Sequence, residues 1–296
     1  MHAEELKARW LDALGSPTPR VFDAGFTPLQ RFECEDYVGT LGVQFTEPDV
    51  RQRVLVMKPR RLAKPASAVL LPFYYPERIA GIEFDTLERR DNTPESCILG
   101  LVLVRRGYVV YAPETYHLNL PKCELGRDAW PRWAMAAAEL QQRHPGWTGM
   151  GKLVADARLA LDLMAADDDV DPNRLAVAGH SLGGKIAFFV GTLDSRIRCI
   201  VASDFGILWD STNWHDEWYF GRKLAAMKAA GMHLGQLLEL APAVRFFLIA
   251  GQYDHAGSRA ELRDGDGFCN HATGHAPTPE ALAQAWGFLD QCLLEG

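Results

Sequence analysis

The chain has 296 residues, room for one large α/β domain or two small ones, and 48% of them are hydrophobic, too many for a disordered chain. Its 38 acidic against 31 basic residues give a net charge of −7, which argues against nucleic acid, whose phosphates need a basic surface. No apolar run approaches the ~20 residues of a membrane span, so a membrane is not an expected partner either.

The N-terminal stretch carries Glu4, Glu5 and Asp12 and no apolar segment of a secretory signal. The six cysteines, Cys34, Cys97, Cys123, Cys199, Cys269 and Cys292, are scattered without a C-x-x-C pair. They read as free thiols, and the expected compartment is the cytoplasm. Residues 4–14 have helical apolar spacing. Residues 31–45 and 50–58 read as two extended segments around Glu47-Pro48-Asp49, an edge hairpin. Apolar strands are predicted over 68–75, 107–112, 174–178, 196–202 and 244–250, with a short one over 268–271. Helices are predicted over 152–165 and 279–293, the latter with Thr278 as N-cap and Pro279 at its first position. Near-continuous apolar strands alternating with helices imply a mostly parallel sheet covered on both faces. Residues 114–150 and 209–235 fall outside that alternation and read as lid or pocket insertions in one domain spanning 1–296.

Gly179-His180-Ser181-Leu182-Gly183 lies between the strand at 174–178 and the helix that begins near Lys185. G-x-S-x-G between strand and helix is the pattern of a nucleophile elbow. The serine must occupy a strained turn to stand clear of the sheet, and side chains at Gly179 and Gly183 would collide with neighbouring elements. The N–H of Leu182, at the helix start, is a candidate donor to a developing oxyanion.

A serine hydroxyl needs a histidine to take its proton and a carboxylate to fix the histidine tautomer. In α/β-hydrolases the order is Ser, acid, His. His275, in the loop before the last helix, is the first candidate, with His271 behind it. Asp254, after the strand at 244–250, is the first candidate acid. Asp204, after the preceding strand, is the alternative, and Asp216 and Glu217 stand further back. The second oxyanion donor should come from the loop after 68–75, where Tyr75 is the first choice. Tyr74, His180, Asp204, Trp209 and Trp214 are candidate pocket residues.

With these residues in order, the chain resembles the α/β-hydrolase superfamily over nearly its whole length. Three segments resemble its acetyl xylan esterase and dienelactone hydrolase-like branch: Asp171-Pro172-Asn173-Arg174 through Lys185; Leu193-Asp194-Ser195-Arg196 with Val201-Ala202-Ser203-Asp204-Phe205; and Leu240-Ala241-Pro242. The resemblance implies a cofactor-independent serine esterase acting on small or sugar-linked esters. A peptidase of the same fold and a non-hydrolytic ligand-binding protein are the alternatives. Asp264-Gly265-Asp266-Gly267 lacks the remaining ligands of a calcium loop, and no H-E-x-x-H motif occurs, so no metal is expected.

Overall fold

A computed structural model describes residues 3–15, 25–83, 85–88, 93–94, 97–126 and 129–294. Helix α1 (Ala3–Leu14) leads into β1 (Phe26–Glu33), β2 (Tyr37–Glu47) and β3 (Val50–Pro59). The predicted extended segment 31–45 is therefore two strands. The chain reverses between them, where the Cys34 N–H donates to the Tyr37 carbonyl at 2.8 Å. The edge of the sheet is a three-stranded antiparallel meander rather than a hairpin. Next come β4 (Ala66–Leu70), α2 (Pro76–Ala80), α3 (Leu99–Arg105) and β5 (Val109–Pro113). The predicted strand 68–75 stops at Leu70, because from Pro72 onward the chain leaves the ladder as a loop. The first predicted insertion, of which 127 and 128 lie outside the described residues, contains α4 (Tyr116–Asn119) and α5 (Trp130–Arg143).

Helix α6 (Gly149–Ala165), β6 (Val170–His180), α7 (Leu182–Leu193) and β7 (Ile197–Ser203) form the centre of the fold. The second insertion holds α8 (Lys223–Ala229) and is followed by α9 (Gly235–Leu240), β8 (Arg245–Ala250), a 3-10 turn (Ala256–Glu261), β9 (Gly267–Asn270) and α10 (Pro279–Leu293). The nine strands lie in the order β1-β2-β3-β5-β4-β6-β7-β8-β9. From β5 to β9 every pairing is parallel.

Period-2 alternation sorts the strand side chains between two cores. Leu70, Val177, Ile200 and Leu248 face one layer with α1, α5, α6, α7, α8 and α9. Val69, Ala178, Val201 and Ile249 face the other, with α2, α3 and α10. Both faces of the parallel strands are thus covered. The loops that follow β4, β6, β7, β8 and β9 gather along one sheet edge, the carboxyl edge, where open α/β sheets place their ligand sites.

Candidate active site

Ser181 joins β6 to α7 with φ 57° and ψ −118°, in the positive-φ region that non-glycine residues avoid. Its N–H donates to the Ser203 carbonyl at 2.8 Å, tying the turn to β7. The flanking glycines are sterically required. A Cβ on Gly179 would lie 2.2 Å from the Gly183 carbonyl, and one on Gly183 would lie 2.3 Å from the Pro72 carbonyl. Leu182 opens α7, so its N–H has no acceptor within the helix.

His275 lies half-buried in the loop between β9 and α10 and, with Ser181, lines a cavity of about 390 Å³. Its Nδ1 is 2.6 Å from Asp204 Oδ2. The carboxylate on His275 is therefore that of Asp204, and the first-choice acid, Asp254, is elsewhere. Asp204 directly follows β7, with φ 44°. Its carboxylate accepts backbone N–H groups from Gly251 at 3.2 Å, Gln252 at 3.1 Å, Tyr253 at 2.8 Å and Asp254 at 2.8 Å. Burial pushes the Asp204 carboxyl up, but the bonds from His275 and from these N–H groups outweigh it and hold the group below its ordinary value.

Asp254 is fully buried and turned the other way. It accepts the N–H of Gly206 at 2.8 Å, the N–H of Ile207 at 2.7 Å and the Ser258 hydroxyl at 3.1 Å. Each aspartate binds the loop that carries the other. Burial, with the nearby Asp204 charge, raises the Asp254 carboxyl despite the Ile207 and Gly206 bonds. Beneath this clamp, Lys185 of α7 is buried, donates to the Phe205 carbonyl at 2.6 Å and lies 4.0 Å from the Trp214 ring.

The cavity is lined by Phe73, Tyr74, Arg78, Cys97, Trp130, Trp133, His180, Ser181, His275 and Ala276. Tyr74 and His180 were foreseen among these. His180 donates or accepts through Nδ1 at 3.1 Å from Ser203 Oγ, and burial pushes its ring down to about 3, with His275 and Arg78 adding to the effect. The imidazole is neutral at neutral pH. Tyr75 is buried and directly precedes α2.

Trp209 and Trp214 do not reach the cavity. Trp214 is fully buried and donates to the Gly206 carbonyl at 2.6 Å, while Trp209 donates to Met232 at 2.6 Å and packs on Trp10. The second insertion thus fills the core under α7. The aromatic wall comes from the first insertion instead. Trp133 stacks on His117 with centroids 3.5 Å apart and meets Tyr74 edge-on at 5.7 Å. His271 bonds Thr273 at 2.8 Å rather than a site residue, and Glu217 is exposed.

No family model matches the chain. The Bacillus subtilis (strain 168) protein named Putative hydrolase YtaP is 39% identical over 51 residues, a match that spans 17% of this chain and 17% of that protein. A glucuronoyl esterase from Solibacter usitatus superposes with a TM-score of 0.70 at 15% identity, covering 97% of this chain and 91% of that one. The fold is that of the α/β-hydrolases. Acetyl xylan esterase from Paenibacillus sp. R4 (TM-score 0.64, 15% identity, covering 98% and 95%) shares this α/β-hydrolase architecture. So does acetyl xylan esterase 1 from Thermoanaerobacterium sp. JW/SL YS485, with a TM-score of 0.61 at 14% identity over 97% and 92%. Among the described residues, no helix is long and apolar enough to cross a membrane, and no cluster of three His, Cys, Asp or Glu side chains could hold a metal.

Proposed function

We propose that the protein is a serine esterase of one domain that cleaves small or sugar-linked carboxylic esters through an acyl-enzyme on Ser181. The observation that carries this reading is a strained elbow serine on the wall of the same cavity as a histidine whose other ring face is tied to a buried carboxylate. Asp204 is an acceptor, so it holds the proton on His275 Nδ1 and leaves Nε2 as the base. In the proposed cycle, Nε2 takes the Ser181 proton as Oγ attacks the ester carbonyl. The Leu182 N–H and a second from the loop after β4, assigned to Tyr75, bind the oxyanion. Protonated His275 then delivers its proton to the leaving alcohol, and water repeats the sequence to release the acid. Every step uses these side chains and backbone donors, so no cofactor enters the scheme.

The ester class is suggested by neighbours named as acetyl xylan and glucuronoyl esterases. Six free cysteines fit a reducing compartment and hence the cytoplasm. Purified protein should hydrolyse 4-nitrophenyl acetate and be labelled by a fluorophosphonate probe. Ser181→Ala should lose the label and at least ~10³-fold in kcat. An unlabelled wild-type serine with no ester turnover would point to a ligand-binding protein and overturn the reading.

A further inference from the structure

His275 stands on a loop whose backbone takes uncommon conformations, with Ala272 at φ 52° and Gly274 at φ 55°, and 32% of its side chain is open to solvent. Its bond to Asp204 anchors one ring nitrogen. One hydrogen bond leaves an imidazole free to tilt about that bond, since χ2 of histidine has broad wells. A tilt moves Nε2 away from the serine it must serve, and small misplacements of a reacting group are costly.

Two aromatic rings bear on His275. His180, at the end of β6, has its centroid 4.4 Å away at an interplanar angle of 41°. Tyr253, in the loop after β8, lies 4.8 Å away at 68°, an edge-on contact. Tyr253 is half-buried and is not among the described residues that line the cavity. Its backbone N–H donates to Asp204 Oδ1 at 2.8 Å. The same residue thus meets the acid through its main chain and the base through its ring. The loop that carries it is pressed against the loop that carries His275, because a Cβ on Gly251 would lie 2.6 Å from the Gly274 carbonyl.

We propose that Tyr253 is a positioning residue whose ring sets the tilt of the His275 imidazole, keeping Nε2 directed at Ser181 while Asp204 holds Nδ1. This rests on the esterase reading above. The contact is made by the ring, so phenylalanine supplies it and alanine removes it, and both substitutions keep the backbone N–H on Asp204. His275 serves acylation and deacylation alike, so poorer aim slows both steps and lowers kcat with little change in KM.

The test measures kcat and KM for 4-nitrophenyl acetate, with rates expressed per serine labelled to completion by a fluorophosphonate, so that an unfolded fraction drops out. Tyr253→Ala should lower kcat about threefold to tenfold, the range of an aromatic pair, with KM within about twofold of wild type. Tyr253→Phe should keep kcat within about twofold of wild type. In a His275→Ala background, where the oxyanion donors sustain a slow residual turnover, Tyr253→Ala should have no further effect, since the ring acts through the imidazole. Wild-type kcat in Tyr253→Ala, a loss that appears in KM instead, a loss that Tyr253→Phe shares, or a loss of equal size in the His275→Ala background overturns this inference and leaves the esterase standing. A wild-type protein that neither turns over the ester nor takes the label overturns both.

Discussion

Two aspartates 50 residues apart compete for one role, and the difference between them is hydrogen-bond direction. Asp204 faces His275 and is held ionised by backbone donors, whereas Asp254 spends its acceptors on Gly206, Ile207 and Ser258. Asp204→Asn should therefore lower kcat by about 10⁴, because the wrong histidine tautomer is then favoured. Asp254→Asn should leave most of kcat and cost about 1–3 kcal/mol in stability, since an amide cannot accept from all three donors. Equal losses of kcat on 4-nitrophenyl acetate would remove this assignment. The sequence made the serine and the histidine candidates legible, because an elbow motif and a loop before the last helix are local features. It could not separate the two acids. Both follow apolar strands, and the choice depends on which way a loop folds back. Arg78 was invisible for a similar reason: nothing at its position distinguishes a cavity wall from a solvated helix face. A further consequence concerns Ser181 itself. Glycine tolerates φ 57° without strain, so Ser181→Gly should be more stable than Ser181→Ala by about 1 kcal/mol in denaturant titrations, with both inactive.

The strand–turn–helix units were the readable part of the fold, since apolar strands of 5–11 residues and the capped helix α10 (Pro279–Leu293) announce themselves by pattern. The antiparallel edge was read one strand short, because the turn at Cys34 interrupts a continuous β-like pattern without glycine or proline. Lys185 shows how an element can hold a site without touching substrate. It extends from α7 to the Phe205 carbonyl, one residue beyond Asp204. Burial pushes its amine down to about 7, against the opposing attraction of Asp254, Asp204 and Asp216. Between about pH 7 and the ordinary lysine value near ~10.4, the unfolded chain holds a proton on this residue that the folded chain lacks. Folding stability then rises with pH across that window, by on the order of 4 kcal/mol for this group. Below the window both states are protonated and the contribution is flat. Lys185→Met should remove the rise, which urea titrations of both proteins at pH 6, 8 and 10 would show as a wild-type-minus-variant difference growing with pH. A difference independent of pH would mean that the amine stays charged in the folded state.

At the scale of the whole molecule, the two insertions divide the work unequally. Residues 209–235 send Trp209, Trp214 and Phe220 into the core beneath α7, while α5 brings Trp130 and Trp133 to the cavity. The resulting space, about 390 Å³, is at the low end for a ligand pocket. Its inner wall is stiff, because Trp133 is 2% exposed and is packed between His117, Tyr74 and Tyr116. Its rim is open, because Trp130 is 59% exposed and stacks on Trp218. A space of this size matches a short acyl group or a ring better than a long chain. In a series of 4-nitrophenyl esters, kcat/KM should peak at acetate to butyrate and fall toward longer acyl groups. Trp133→Ala should move the peak to a longer chain, at a cost of about 3–5 kcal/mol in folding stability from the cavity left behind. The stability loss alone would be expected of any buried tryptophan, so the chain-length shift is the informative measurement. If wild-type kcat/KM instead climbs steadily from acetate to palmitate, the wall formed by Trp133 does not limit the substrate, and the acyl chain must leave the site by another route.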